Sequence, residues 1–152
     1  MNTDKKISRR EALKRMGFAV MSGAIASSGL LSLASCETKR SKRIIFYFTG
    51  TGNSLYIARQ LAGENAELLS IPQMVKRGKY EFEADEIGIV YPIYGHMPPY
   101  MVRQFIQKAK LKAEYKFAVL TYGARKCDAV EIWDRISRKA DNAFDYISTI
   151  IM

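Results

Sequence analysis

Residues 46–58 read FYFTGTGNSLYIA. The apolar run that ends here, Ile44–Phe48, has no polar position to turn toward water. Such a run predicts a strand buried on both faces, as at the centre of a parallel sheet. Two glycines spaced by one residue follow, then Asn53 and Ser54. From Asn53 to Glu64, Leu55, Ala58, Leu61 and Ala62 recur at helical spacing, with Gly63 near the stop. The stretch is therefore strand, turn, helix. A turn ahead of a helix offers unpaired N–H groups and the positive end of the helix dipole. Small residues let backbone close around an anion, and Thr49, Thr51 and Ser54 add hydroxyl donors. The turn is chemically suited to a phosphate.

The order of elements extends outward from this unit. Glu67–Ile71 is a short strand that Pro72 ends, and residues 73–85 read as loop with room for one helical turn. Ile87–Tyr91 is a second apolar run leading into PIYGHMPP (92–99), whose three prolines and glycine forbid regular structure. Pro98 or Pro99 suits the first turn of the next helix, where a missing N–H costs nothing. Met101, Val102, Phe105, Ile106 and Ala109 line that helix. Phe117–Leu120 is a third buried run ending in TYG. Val130, Trp133, Ile136 and Ala140 then mark a helix, with i,i+4 pairs Glu131–Arg135 and Asp134–Arg138. Tyr146–Met152 is a last strand. Each strand-to-strand connection is long enough for a crossover, so an α/β domain with parallel strands and helices on both faces is expected.

The first 35 residues read as an address. Arg9 and Arg10 stand in SRREALK, a weakly apolar stretch runs from Met16 to Ser35, and LASC closes it at Cys36. This resembles a twin-arginine export signal ending in a lipobox, which implies removal of residues 1–35 and a lipid on Cys36. The alternative is an uncleaved, weakly apolar N-terminal anchor. Residues 36–41 would be a tether and 42–152 the folded domain. The expected place is the outer side of a bacterial cytoplasmic membrane, or the outer membrane, attached by lipid. From Cys36 on, 18 Lys/Arg stand against 13 Asp/Glu, a net charge of +5. That suits an anionic membrane or an acidic partner. No basic stripe interleaved with aromatics marks a nucleic-acid surface. Two cysteines, no CxxC pair and one histidine give no metal or iron–sulfur site.

The glycine turn narrows the class. It lacks the lysine of GxxxxGK[ST]. It also lacks the third glycine of GxGxxG, since Leu55 stands there, and Ser70 replaces the acid a ribose would want. It matches [ST]x[ST]GN[ST] at every fixed place. With YPIYG at 91–95 and TYG at 121–123, the sequence resembles the flavodoxin family across about residues 42–152. The resemblance implies a three-layer α/β/α fold with a five-stranded parallel sheet in the order 2-1-3-4-5. It also implies flavin mononucleotide (FMN) as cofactor. Thr49, Gly50, Thr51, Gly52, Asn53 and Ser54 would wrap its phosphate. Pro92, Ile93, Tyr94, Gly95 and His96 would form one wall of the ring site, and Thr121, Tyr122, Gly123 and Ala124 the other. His96 is expected as an exposed loop residue, Cys127 as a small, partly buried one, and Trp133 in the core.

The family would continue past Met152 into a final helix over one face of the sheet. The expectation is a domain incomplete at its C-terminus, or a partner covering that face. The function expected is electron transfer to a redox partner protein or quinone. The alternatives are an FMN-dependent NAD(P)H:quinone-type oxidoreductase and a non-catalytic or truncated lipoprotein that has lost FMN.

Overall fold

The computed structural model describes residues 42–152. The leader, the tether and Cys36 lie outside the described residues. Strand β1 (Arg43–Tyr47) leads through the glycine turn to helix α1 (Asn53–Ala62), then β2 (Ala66–Ser70) and α2 (Ile71–Arg77). Next come β3 (Glu81–Glu83), β4 (Glu86–Pro92), α3 (Tyr100–Lys108) and β5 (Lys110–Lys112). Then β6 (Tyr115–Tyr122), α4 (Ala129–Lys139) and β7 (Tyr146–Ile151) complete the order.

Five strands form one sheet in the order β2-β1-β4-β6-β7, and every neighbouring pair is parallel. Counting only these five, the order is 2-1-3-4-5, the doubly wound arrangement expected. The central strands are the apolar runs. Ile44, Ile45 and Phe46 of β1 are buried, as are Ile87, Ile89, Val90 and Tyr91 of β4. Alternation sorts them onto two faces. On one face, Ile44, Phe46, Ile89, Tyr91 and Leu120 join residues of α2, α3 and α4 in the larger core. Phe46 meets Phe82 edge-on with ring centres 4.7 Å apart and Phe105 at 5.0 Å. On the other face, Ile45, Val90 and Val119 pack under Ala58 and Ala62 of α1. Among the described residues, α1 is the helix that covers this second face.

Three local outcomes differ from the sequence reading. The strand ends at Ser70, and Ile71–Arg77 form a two-turn helix where the sequence predicts a strand end and loop with one helical turn. Pro72 begins it rather than merely ending a strand, because proline fits the first turn. Gly78 then stops it with φ 65°. A second, two-stranded parallel sheet pairs β3 with β5, setting Phe82 opposite Leu111, both buried, and Glu81 and Glu83 opposite Lys110 and Lys112. Helix faces are also rotated slightly. Met101 is 41% exposed, and α4 buries Ala129, Ile132, Trp133 and Ser137, with Ile136 packed half-buried against the core and Val130 half-buried. The Asp134–Arg138 pair forms; no Glu131–Arg135 pair is among the ion pairs of the described residues.

One buried side chain ties the base of the fold together. Asn142 is 1% exposed. Its Nδ2 donates to the carbonyls of Ile106 (3.2 Å), Ala109 (2.8 Å) and Ala140 (2.9 Å), while its Oδ1 accepts from Leu111 N–H at 3.2 Å. It thereby satisfies backbone groups at the end of α3, in β5 and at the end of α4.

Candidate functional site

The site forms where the sheet order reverses. β1 and β4 are neighbours, and their connections leave in opposite directions, which opens a crevice at the carboxyl ends of the strands. A cleft of about 220 Å3 lies there, lined by Thr49, Gly50, Thr51, Asn53, Ser54, Pro92, Ile93, Tyr94, Thr121, Tyr122, Gly123 and Met152. Three loops that are far apart in sequence thus share one cleft.

The first loop is preorganised around its glycines. Phe48 N–H still pairs with Val90 O at 2.9 Å, so the sheet continues to the edge of the turn. Gly52 N–H then donates to Thr49 Oγ1 at 2.9 Å. Gly52 sits at φ 99°, a left-handed conformation that favours glycine, as the N-cap of α1. No side chain caps this helix, and its first turn holds no acidic residue. The N–H groups of Gly50, Thr51 and Asn53 enter no backbone hydrogen bond outside the helices and strands among the described residues. All three residues line the cleft, beside the positive end of the α1 dipole.

Ser54 and Thr121 meet at the floor. Their hydroxyls are 2.8 Å apart, and the residues are 1% and 2% exposed. The Ser54 hydroxyl, read from sequence as part of the phosphate wrap, is engaged with Thr121. Likewise Thr121, read as part of a ring wall, is a buried strand residue under α1.

The second loop is a tight turn. Tyr94 N–H donates to Met97 O (3.0 Å) and Met97 N–H to Tyr94 O (3.1 Å). The two central residues, Gly95 and His96, lie at φ 53° and 72°. Positive φ at both positions is the pattern of a type I′ turn. Ile93 N–H donates to Thr121 O at 2.8 Å, locking this loop to β6. The turn sends Tyr94 back across the cleft. Its Oη would lie 2.7 Å from a Cβ placed on Gly50, so the ring tip rests on that glycine. His96 points the other way, with Nδ1 3.2 Å from Asp128 Oδ1, both side chains exposed.

The third loop carries Tyr122, Gly123 and Ala124. A Cβ on Gly123 would meet nothing within 4 Å, so this side of the cleft has room. Gly52, Gly95, His96 and Ala124 stand in these loops but do not line the cleft. Met152 does, and its N–H donates to Tyr122 O at 2.9 Å. The sequence reading did not include Met152; only strand pairing brings it here. Cys127 is exposed at φ 45°, not partly buried as expected, because it opens the turn ahead of α4 within an exposed loop.

Behind the second loop, Tyr91 and Trp133 stack with ring centres 4.9 Å apart. Tyr91 Oη and Trp133 Nε1 are buried without hydrogen-bond partners. Burial pushes the Tyr91 phenol well above its ordinary value near 10. Trp133 is in the core, as expected. Among the described residues no group of three His, Cys, Asp or Glu could hold a metal ion.

Comparison with known proteins agrees with this architecture. A flavoprotein from Lactobacillus acidophilus, solved in complex with FMN, matches with a TM-score of 0.53 and 12% identity, over 72% of this chain and 93% of that one. The two-electron reduced flavodoxin of Megasphaera elsdenii matches at 0.52 and 16%, over 70% and 84%. The Trp repressor binding protein from Bacillus subtilis matches at 0.51 and 13%, over 74% and 85%. No family model matches the chain, and no curated protein matches it by sequence. The fold is flavodoxin-like: an α/β domain with a five-stranded parallel sheet and four helices among the described residues.

Proposed function

We propose that the chain is an FMN-binding electron-transfer protein. The observation that carries this is the cleft at the sheet's switch point, walled by an uncapped helix N-terminus with free N–H groups. The donor set fits a phosphate monoester. Gly50, Thr51 and Asn53 offer N–H groups, Thr51 offers a hydroxyl, and the α1 dipole favours the anion. The phenol rings of Tyr94 and Tyr122 fit a flat conjugated ring at the mouth, and open space at Gly123 leaves it room. FMN, when bound, supplies exchange of one or two electrons. The chain's own residues bind and orient it. The Thr49–Gly52 bond holds the turn open for the phosphate, the Ile93–Thr121 bond fixes the two ring loops relative to each other, and Tyr94 shields the cleft from water. The resemblance to FMN-complexed and flavodoxin structures supports this reading.

The reading extends to location. The leader resembles a twin-arginine lipoprotein signal, so the domain would work outside the cytoplasm, held by lipid on Cys36, passing electrons between a partner protein or quinone and FMN.

Titration of FMN with the protein tests the site, because a bound flavin beside tyrosine loses fluorescence. Quenching with one FMN per chain is expected, with riboflavin, which lacks the phosphate, at least tenfold weaker. Thr51→Ala should weaken FMN and leave riboflavin unchanged. Unquenched fluorescence, or equal affinity for the two flavins, would overturn the assignment. Intact mass of the native protein reports whether residues 1–35 are absent and diacylglycerol is on Cys36.

A further inference from the structure

We propose that the outer flank of α2 and α3 docks on an anionic phospholipid surface. The described residues carry 16 Lys/Arg against 12 Asp/Glu, a net of +4. Residues 71–80 and 97–109 hold no Asp or Glu. Their cations are Lys76, Arg77, Lys79, Arg103 and Lys108, and none belongs to an ion pair among the described residues. Five uncompensated cations exceed the net charge of the whole domain, so its positive excess lies on this flank.

Four of the five, Lys76, Arg77, Lys79 and Lys108, stand in or just after the last turns of α2 and α3, and Arg103 stands in the first turn of α3. Lys108 Nζ stands 5.7 Å from the centre of the Tyr80 ring, Lys79 Nζ 5.2 Å from that of Phe82, and the Arg103 guanidinium 5.9 Å from that of Tyr100. Tyr100 is 66% exposed, beside exposed Met101. Lys108 beside the half-buried Tyr80 ring, with exposed Lys76, Arg77 and Lys79 near it, suits the headgroup layer of a bilayer, where cations meet phosphates and phenol rings settle. The helix dipole accounts for Lys76, Arg77 and Lys108 in last turns. It does not account for Lys79, for Arg103, or for the lack of acids.

Position favours a bilayer over an acidic protein. A redox protein would approach the cleft, at the carboxyl ends of the strands. Helices run antiparallel to the strands here, so the last turns of α2 and α3 lie at the opposite end. There the chain joins the domain. Lys110 N–H donates to Tyr80 O, Ala84 N–H to Lys112 O, and Asp85 N–H to Lys42 O. Of the acids at this end, Lys110 holds Glu81 at 2.8 Å and Arg43 pairs with Glu86, while Glu83, Asp85 and Glu114 lie beside Lys42 and Lys112 at the sheet edge, away from the helix cations. Lys42, the first described residue, enters the domain at this same end, away from the cleft. Docking through these side chains does not require lipidation.

The test uses the full chain with Cys36→Ser, so that no lipid is attached. Co-sedimentation is measured with vesicles of pure phosphatidylcholine and of phosphatidylcholine with 30% phosphatidylglycerol. Binding to the anionic vesicles should fall steeply with salt. Lys76→Gln/Arg77→Gln/Lys108→Gln should weaken it about a hundredfold at low salt, as each cation contributes about one factor of five. Arg135→Gln/Lys139→Gln, on α4, should stay within twofold. Flavin quenching, or far-ultraviolet dichroism if no flavin binds, confirms that each variant is folded. Equal binding of the triple variant and the parent would overturn the proposal, as would indifference to phosphatidylglycerol. Retention on immobilised polyglutamate without vesicle binding would overturn it in favour of an acidic protein.

Discussion

The Ser54–Thr121 pair is a direct test of how the phosphate-facing helix is fixed to the sheet. Both residues are essentially buried and their hydroxyls are 2.8 Å apart. In Ser54→Ala, the Thr121 hydroxyl stays in the floor of the cleft without its partner. A buried hydroxyl left unpaired costs about 1–3 kcal/mol, and about 2 is expected here. In Thr121→Val, Ser54 sits in the first turn of α1 and can turn its hydroxyl to a local carbonyl, so about 1 kcal/mol is expected. The double variant removes both hydroxyls and leaves nothing unsatisfied; it should lose only the net value of one bond, about 1 kcal/mol. The coupling is then about 2 kcal/mol, within the range for groups in contact. For a domain of this size, Ser54→Ala would melt roughly 7–10 °C lower. Urea denaturation followed by fluorescence of Trp133, the single tryptophan and fully buried, reads all four proteins. If the two single costs simply add in the double variant, the hydroxyls do not act on each other and the reasoning fails.

Other sites give sharp expectations. Gly88→Ala puts a methyl 2.5 Å from Phe117 Cζ and 2.8 Å from Ile45 Cδ1; it should cost about 1–3 kcal/mol by overpacking, with part regained by adding Phe117→Leu, read as urea midpoints. Asn142→Ala leaves buried backbone groups at Leu111, Ile106 and Ala109 unpaired and should lower stability by about 3 kcal/mol or more in the same assay. Tyr91→Phe removes a buried hydroxyl that has no partner and should be stabilising by about 1 kcal/mol at neutral pH. The Tyr91 phenol ionises near pH 10 when unfolded and well above that when folded. Above pH 10 the unfolded state therefore binds fewer protons, and the parent should lose up to about 1.4 kcal/mol per pH unit through this residue. Tyr91→Phe should lack that share of the slope, measured as denaturation midpoints from pH 8 to 11.

What could be read from the residues followed how locally each feature is specified. β1, β4 and β6 are apolar runs, and a buried parallel strand needs little more than that. The glycine turn was legible because φ 99° at Gly52 is a demand that only a few residue types meet easily. Helix α2 was not, since seven residues with a proline and two cations carry too little periodicity. The β3–β5 sheet was hidden for a similar reason: each strand offers a single apolar residue between two charges. His96 is not a residue type that announces positive φ, so the Tyr94–Met97 turn emerged only from the pairing around it. Ser54 and Thr121 are 67 positions apart, and Met152 is farther still from Gly50. No spacing rule joins them; the parallel register of β4, β6 and β7 does.

That register has a consequence in time. Arg43 must find Glu86, 43 positions away, before the central pair of strands exists, and no pair in the main sheet is closed by a hairpin. Such non-local assembly is slow to start and leaves strand edges open while it waits. The export route that the leader resembles carries proteins already folded. In the exported reading proposed above, folding precedes crossing, so a variant that slows the pairing of β1 with β4 would be expected to cross later than the parent.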